Sequence, residues 1–395
     1  MIIIIIRYAI VGKVYHPVVL LGSSYILLLG VGSVLFPLFR GRPLNDYTLN
    51  LIGLGFISLI TGIFLVEAIG LPKSVNKQET KIRFVEIVYI FALLGLISTL
   101  LMFLRFKGIP ILAANPNEAK VNFLAGNGIL NLFFKGMPIF ALAMLYVQFH
   151  SGKSLFLAHI YCMLIIGFIL AAGYRSTTLI SLGEYVFMYL ILTKKKLNIP
   201  AIIITMAVAI LFLAFLGSYR RGKPGFSGAV DEIDIVVNAR PMMVELITRN
   251  FSTLDFFKGS LYYNDFKRFL PGTQVNANVD LKFAIFQNAE AMPEIAGVTP
   301  SIIGEAYMNF GQTGVLWVTL LTGAISGIFY VSFLKKQNFL RTTLFLTLVF
   351  GLAGGIQSGI GLKLIHLTQF WFWVIVIGVI VDKESINQHN ESKQN

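Results

Sequence analysis

Long apolar stretches alternate with short polar ones along most of the chain, and this pattern predicts the architecture. Stretches such as Val18–Phe39, Leu49–Leu71 and Thr342–Gly361 are long enough to cross a bilayer as helices, which takes about 20 apolar residues. We therefore expect an all-α polytopic membrane protein with about 10 transmembrane helices. The predicted spans are 17–39, 48–71, 84–104, 130–149, 154–172, 177–193, 199–217, 301–334, 342–361 and 364–381.

One long polar segment, 218–300, interrupts this pattern. It separates an N-terminal membrane bundle of about seven helices (1–217) from a C-terminal group of about three helices (301–381), which a polar tail (382–395) follows. A channel or a simple carrier has little use for such a loop. A membrane enzyme that acts on a large polar substrate at one face of the bilayer does have a use for it.

Composition and charge agree with a membrane protein and set its orientation. The chain is 56% hydrophobic with a mean hydropathy of +0.76, which excludes an ordinary soluble domain. Part of the net charge of +13 follows from lysines and arginines clustered in short loops, which are typical of the cytoplasmic side. Their distribution predicts cytoplasmic N- and C-termini and places 218–300 outside. The single cysteine, Cys162, excludes an intramolecular disulfide.

Several cations fall in short or medium loops on the predicted outer side, against the usual bias. Such residues are candidates for anion binding, or they anchor helix ends at lipid headgroups. Arg175 follows Gly173 and Tyr174 at the outer surface, where a lipid diphosphate would sit. The full set is Arg40, Arg42, Arg105, Lys107, Lys120 and Arg175.

The long loop opens with a second group of cations. Arg220, Arg221 and Lys223 lie beside glycines that let the backbone approach a ligand closely. Arginines can hold phosphate oxygens bidentately, although a basic flank that touches lipid headgroups is the alternative. Further along, Glu245 and Arg249 are spaced to pair along one helix face.

Aromatic and polar side chains interleave in residues 256–272. Tyr262 and Tyr263 could stack on sugar rings, and Asp265 could accept hydrogen bonds from sugar hydroxyls. An amphipathic helix that rests on the membrane surface would show the same pattern.

The eighth span begins with a polar stripe. Thr299 is expected to cap its N-terminus, and Ser301, Glu305, Asn309 and Gln312 recur at helical spacing. Because exposing such groups to lipid is costly, the stripe should face a cavity. Glu305 is the strongest single candidate for a catalytic residue, and a buried Glu–Arg pair that only holds the bundle together is the alternative.

Signatures of several other chemistries are missing from the sequence. Ser151–Ser154 resembles the end of a phosphate loop, but its first glycine would fall at Val147. No His-Glu-x-x-His motif and no dinucleotide fingerprint occur, so we expect no metal and no cofactor. We also expect no nucleic-acid partner, because the positive-inside bias and an anionic substrate can explain the excess of cations.

One block of residues resembles a known family. Gly304–Gly311 reads Gly-Glu-x-Tyr-x-Asn-x-Gly and, with Gly108–Ile111, Gly173–Ser176 and Lys258–Pro271, resembles the Wzy-type polysaccharide repeat-unit polymerases. The resemblance covers the predicted topology from end to end. In such proteins a basic residue often follows the first outer Gly-x-Pro stretch, a place that Lys120 takes here.

The resemblance implies a reaction and its partners. Both donor and acceptor would be undecaprenyl-diphosphate-linked oligosaccharides, and the growing chain would be transferred as a block at the outer face of the bacterial cytoplasmic membrane. A chain-length regulator and a flippase would act in the same pathway, and a GT-C-like architecture is suspected.

The residues can be given roles in that reaction. Glu305 would remove the acceptor proton, and Arg175 would stabilise the departing diphosphate. The remaining candidates would bind diphosphate (Arg220, Arg221, Lys223) or glycan (Tyr262, Tyr263, Asp265, Tyr307, Asn309).

Other functions fit parts of the pattern. An O-antigen-ligase-like transferase would use the same donor with a different acceptor. A flippase would usually have more spans, shorter loops and more charges along a central cavity. A scaffold subunit of an envelope assembly would not need the glycine-flanked cations.

Overall fold

The computed structural model describes residues 15–70, 85–113, 116–195, 211, 214–215, 217–218, 225–251, 256–267 and 299–382. Every regular element in these ranges is helical, as the apolar pattern predicts. The α-helices are α1 (Pro17–Tyr25), α2 (Val31–Arg40), α3 (Asp46–Gly70), α4 (Val85–Phe106), α5 (Pro116–Leu124), α6 (Gly128–His150), α7 (Phe156–Ala171), α8 (Arg175–Thr193), α9 (Phe226–Asn250), α10 (Ser260–Lys267), α11 (Ser301–Lys335), α12 (Phe339–Ser358) and α13 (Gly361–Val381). A π-helical turn, Ile26–Gly30, joins α1 to α2, and a 3₁₀ turn, Pro110–Leu112, follows α4.

Seven helical segments in the described ranges are long and apolar enough to span a bilayer. The polytopic membrane class is therefore confirmed. Nine of the predicted spans coincide with described helices, whereas the span 199–217 lies mostly outside the described residues. The seven segments are Pro17–Leu38, Asp46–Gly70, Val85–Leu112, Gly128–His150, Arg175–Thr193, Ser301–Lys335 and Phe339–Ser358; Phe156–Ala171 and Phe370–Val381 are shorter apolar helices.

The chain divides into two compact units. The first comprises 1–70, 197–328 and 351–366, and in it α9 packs against α2 and α3. The hydroxyl of Tyr25 donates to the carbonyl oxygen of Ile52 at 2.7 Å and so joins α1 to α3.

Glycines let α3 and α11 approach until their backbones touch within the first unit. A Cβ added at Gly323 would collide with the carbonyl oxygen of Leu59, and one at Gly62 with that of Leu320. The spacing of Gly323 and Gly327 therefore marks close helix packing.

The second unit comprises 71–196, 329–350 and 367–395. Here α6 packs against α4, α7 and α8. The indole of Trp373 donates to the carbonyl oxygen of Leu132 at 2.9 Å and lies among the rings of Phe91, Phe133 and Phe140. This aromatic cluster forms part of the core of the unit.

Helix α11 contains a sharp break that the sequence does not predict. Phe310 has φ −145° and ψ 15°, and Gly311 has φ 65° and ψ −152°, so neither residue is helical. The conformation of Gly311 is one that essentially only glycine adopts. The break therefore ends the polar first part of α11 at a defined place.

Candidate functional site

The carboxylate of Glu305 is buried in the first part of α11 and caps another helix. Its Oε2 accepts the backbone N–H of Ile360 at 2.5 Å, and its Oε1 and Oε2 lie 3.3 and 3.4 Å from the backbone nitrogen of Gly361. These amides stand at the start of α13, where free N–H groups favour a negative charge. Gly359, with φ +98°, leaves room for the carboxylate, since a Cβ there would lie 3.0 Å from it.

The cap of α11 itself differs from the prediction. Ser301, not Thr299, fills this position, because the Oγ of Ser301 accepts the backbone N–H of Gly304 at 3.3 Å. The hydroxyl of Thr299 instead accepts a hydrogen bond from the Arg240 guanidinium at 2.6 Å. Burial lowers the pKa of Arg240.

The predicted polar stripe holds for its first three members only. Ser301, Glu305 and Asn309 are buried, whereas Gln312 is exposed because it follows the break in α11. The amide nitrogen of Asn309 donates to the carbonyl oxygen of Glu305 at 2.9 Å. In the described part of the chain, the buried Asn309 Oδ1 has no hydrogen-bond partner, so it can accept a hydrogen bond from a hydroxyl group of a ligand.

Tyr307 packs between two other aromatic rings rather than standing in the open. Its hydroxyl lies 3.5 Å from that of Tyr47, and its ring meets the edges of Tyr47 and Phe256. Tyr307 is 6% exposed, so a glycan would contact it only through a small part of its surface.

Part of the long loop is hydrogen-bonded to α11 at the position where that helix breaks. The backbone N–H groups of Phe257 and Lys258 donate to the carbonyl oxygens of Met308 and Asn309, each at 2.9 Å. In an unbroken helix these carbonyls would bond to residues four positions further on. The loop amides therefore satisfy acceptors near the break.

Aromatic rings reinforce this attachment. A Cβ at Gly311 would lie 2.8 Å from the ring of Phe256, and one at Gly259 would lie 3.0 Å from the ring of Phe310. The ring of Tyr262 stacks on Phe310 with centroids 6.4 Å apart. Each of these glycines thus packs against an aromatic ring, Gly311 against one from the loop and Gly259 against one from α11. These contacts hold α10 beside the polar start of α11.

Helix α10 presents its aromatic residues on two sides. Tyr262 is half-buried against Phe310, whereas Tyr263 is 58% exposed and Phe266 is 63% exposed. The ammonium of Lys267 lies 4.5 Å from the centroid of the Tyr263 ring. This exposed face could stack on a sugar or rest on a membrane; the side chain of Asp265 lies outside the described residues.

The predicted pairing of Glu245 with Arg249 is wrong. The carboxylate of Glu245 accepts two hydrogen bonds from the guanidinium of Arg42, at 2.8 and 2.9 Å, and Arg249 is exposed. A bidentate pair across the unit offers better geometry than one along a helix face. The Glu245 carboxylate raises the pKa of Arg42. Arg42 is one of the cations proposed to bind anions, and its partner in the structure is this carboxylate.

Arg175 lies in the second unit, as the first residue of α8. Beside it, the ring of Tyr174 packs on Phe134, and the ammonium of Lys120 lies 4.0 Å from the centroid of that tyrosine ring. Burial raises the pKa of Tyr174, so its hydroxyl stays protonated and can donate. In the described ranges that buried hydroxyl has no hydrogen-bond partner.

Arg105 lies at the end of α4 in the same unit. Its guanidinium donates to the carbonyl oxygen of Gly126 and to Oδ1 of Asn127, both at 2.9 Å. It therefore holds the turn before α6 in place. Arg220, Arg221 and Lys223 lie outside the described residues.

Sequence reasoning missed Lys135, a half-buried cation in the apolar helix α6. The available signal was a charged residue well inside a predicted span. Such residues are costly in a membrane and therefore often functional.

No group of three or more histidine, cysteine, aspartate or glutamate residues that could hold a metal occurs among the described residues. The expectation of a metal-independent reaction stays a prediction.

The fold defines a polytopic helical membrane protein. Its candidate site is the buried polar start of α11, against which the aromatic helix α10 packs. The chain belongs to the O-antigen polymerase family, since the family model described as putative O-antigen polymerase matches residues 13–367. The predicted resemblance to the Wzy-type polymerases is thereby confirmed. The protein is a membrane polymerase of polysaccharide synthesis, and its family implies lipid-linked oligosaccharide substrates. No curated protein and no solved structure matches the chain.

Proposed function

We propose that the protein polymerises undecaprenyl-diphosphate-linked repeat units by block transfer at the outer face of the cytoplasmic membrane. The observation that carries this proposal is the buried carboxylate of Glu305, held beside Asn309 in a chain of the polymerase family. In the reaction, the acceptor hydroxyl oxygen bonds to the anomeric carbon of the donor glycan. The bond from that carbon to the diphosphate breaks, and undecaprenyl diphosphate leaves with the electron pair.

Glu305 is proposed to take the proton of the acceptor hydroxyl. The backbone N–H groups of Ile360 and Gly361 donate to its carboxylate and hold that group in one orientation. The amide group of Asn309, next to it on the same helix face, is proposed to orient a sugar hydroxyl through its buried Oδ1. General-base catalysis typically contributes about 10²–10⁴-fold to the rate.

The departing diphosphate needs positive charge. Arg175, Arg220, Arg221 and Lys223, the cations that the sequence assigns to the diphosphate, are proposed to supply it. The glycan is proposed to lie against Tyr262, Tyr263, Asp265 and Tyr307, of which Tyr263 offers the most exposed ring.

Replacing Glu305 by glutamine separates its two roles. The carbonyl oxygen of glutamine can still accept the amides of Ile360 and Gly361, so much of the helix cap survives while the base is lost. We expect Glu305→Gln to lower polymer formation by about 100-fold or more. The measurement is the lipid-linked glycan profile of a deletion strain that carries the variant, with protein levels in the membrane determined in parallel.

Asp382 provides a matched control, because its carboxylate also caps a helix. It accepts the backbone N–H groups of Phe339 and Leu340 at 3.2 and 2.8 Å, and burial raises its pKa. Asp382→Asn should leave polymer formation near the wild-type level. Wild-type polymer from Glu305→Gln would show that Glu305 only caps α13. Long chains left on the lipid carrier in the deletion strain would indicate a ligase instead.

A further inference from the structure

Lys135 places a positive charge within the membrane helix α6. It lies about two turns from the start of that helix at Gly128. A lysine at such a depth is costly unless its ammonium reaches water, a headgroup or a counter-ion.

The structure shows no counter-ion for Lys135 among the residues that it describes. Within the described ranges, the ammonium of Lys135 makes neither a hydrogen bond nor an ion pair, although the side chain is half-buried. One turn earlier on the same helix, the buried Oδ1 of Asn131 also lacks a hydrogen-bond partner among the described residues. The unbalanced charge therefore calls for a ligand that carries negative charge.

Other groups at this end of the second unit favour the same ligand. The Cα–Cβ bonds of a helix tilt toward its N-terminus, so the Lys135 side chain leaves the backbone toward the end where α6 begins. Its neighbour Phe134 packs on Tyr174, and Lys120 lies over the ring of that tyrosine. Arg175 follows Tyr174 directly, and the Tyr174 hydroxyl is a buried donor without a partner in the described structure. This end of the unit is thus rich in donors for an oxyanion.

We propose that Lys135 binds a phosphate group of a lipid at this end of the second unit, with Tyr174 as a further donor. The phosphate belongs either to the diphosphate of the lipid-linked substrate or to an anionic phospholipid headgroup. The first source rests on the proposed function and adds a residue to its diphosphate site. The second would hold a structural lipid beside α6.

Binding of inorganic pyrophosphate to the purified full-length protein tests the first source. Calorimetry in detergent should show that Lys135→Gln weakens this binding by about tenfold, the loss expected for one charge-assisted contact. Lys135→Arg keeps the charge and should retain most of the binding. Lys153→Gln, at an exposed lysine in the turn after α6, should bind like the wild type.

Nanodiscs test the second source. Wild-type protein and Lys135→Gln would be placed in phosphatidylcholine with or without phosphatidylglycerol, and retained lipid would be counted by native mass spectrometry. A selective loss of phosphatidylglycerol from the variant identifies a headgroup site, and weaker pyrophosphate binding identifies the substrate diphosphate. Wild-type behaviour of the variant with both probes overturns the proposal.

Two further measurements keep the result interpretable. If Lys135→Gln does not fold, Lys135→Met, which keeps the apolar stem, takes its place in both assays. Neither assay needs turnover, so the result for Lys135 does not depend on the proposed role of Glu305. Polymer from Glu305→Gln would contradict the proposed base, whereas unchanged binding by the Lys135 variants would contradict only the phosphate site.

Discussion

At the scale of single residues, spacing along the chain located the polar groups of the first unit but not their partners. Glu305 and Asn309 could be predicted to share a buried face, because helical periodicity and the cost of exposure to lipid both require it. The hydrogen-bond partners of Glu305 could not be predicted, since Ile360 and Gly361 lie 55 and 56 positions away in the sequence. Local rules favoured Arg249 for Glu245, whereas Arg42, 203 positions away, makes the bidentate pair.

The Arg42–Glu245 pair should contribute to stability. Arg42→Gln removes the guanidinium from a carboxylate that is 5% exposed and leaves a buried charge unpaired. We expect the melting temperature of the detergent-solubilised protein to fall by several degrees. The change is measured by heating samples to a series of temperatures and using size-exclusion chromatography to determine the folded fraction that remains.

Arg249→Gln is the matched control, since Arg249 is an exposed arginine on the same helix as Glu245. It should melt like the wild type. The double variant Arg42→Gln/Glu245→Gln should lose less stability than the summed losses of the two single variants. Each single change leaves one charged group without its partner, whereas the double change removes both. Equal melting temperatures for Arg42→Gln and Arg249→Gln would show that the pair is not stabilising.

At the scale of elements, apolar periodicity predicted helix positions well and helix interruptions poorly. The span predicted at 301–334 appears as α11, yet nothing local indicated that it breaks at Phe310 and Gly311. A glycine in a helix is compatible with several roles, and only contacts with Phe256 and the loop amides decide this one. Tertiary contacts, rather than local propensity, therefore select the break.

Gly311→Ala tests the break. Alanine would have to adopt a conformation that costs about 1–3 kcal/mol, and its Cβ would press on the ring of Phe256. We expect α10 to detach from α11, so that limited proteolysis cuts the loop faster and polymer yield falls.

Gly53→Ala is the control for this change. Gly53 lies in α3, and a Cβ there would meet nothing within 4 Å. Its proteolysis rate should match the wild type or be slower, because alanine favours a helix. If Gly311→Ala is cut no faster than Gly53→Ala, the proposed attachment of the loop at the break is incorrect.

At the scale of the whole molecule, composition and span length were enough to predict a helical membrane protein, and the Gly304–Gly311 block was enough to predict the family. Sidedness rests on the distribution of lysine and arginine in short loops. That bias is statistical and acts during insertion, so it leaves no contact in the folded chain from which orientation could be read.

Cysteine labelling tests the predicted sidedness. Cys162 is 4% exposed and can be replaced by serine to give a cysteine-free background. In that background Phe266→Cys, on the exposed face of α10, should react with a membrane-impermeant maleimide in intact cells. Lys153→Cys, in the turn after α6, should react only after the membrane is permeabilised. The reverse pattern would place the loop in the cytoplasm and remove the basis of the proposed reaction.

The amides of Phe257 and Lys258 at the break in α11 carry a consequence for evolution and engineering. Because the loop amides pair with carbonyl groups at the break, we expect the interrupted helix and the loop segment to be exchangeable only together. Specificity for a new repeat unit could not be transplanted by exchanging the loop alone between relatives. A chimera that keeps 256–267 together with 301–314 should accumulate in the membrane, whereas one that divides them would lose the donors of the Met308 and Asn309 carbonyl groups.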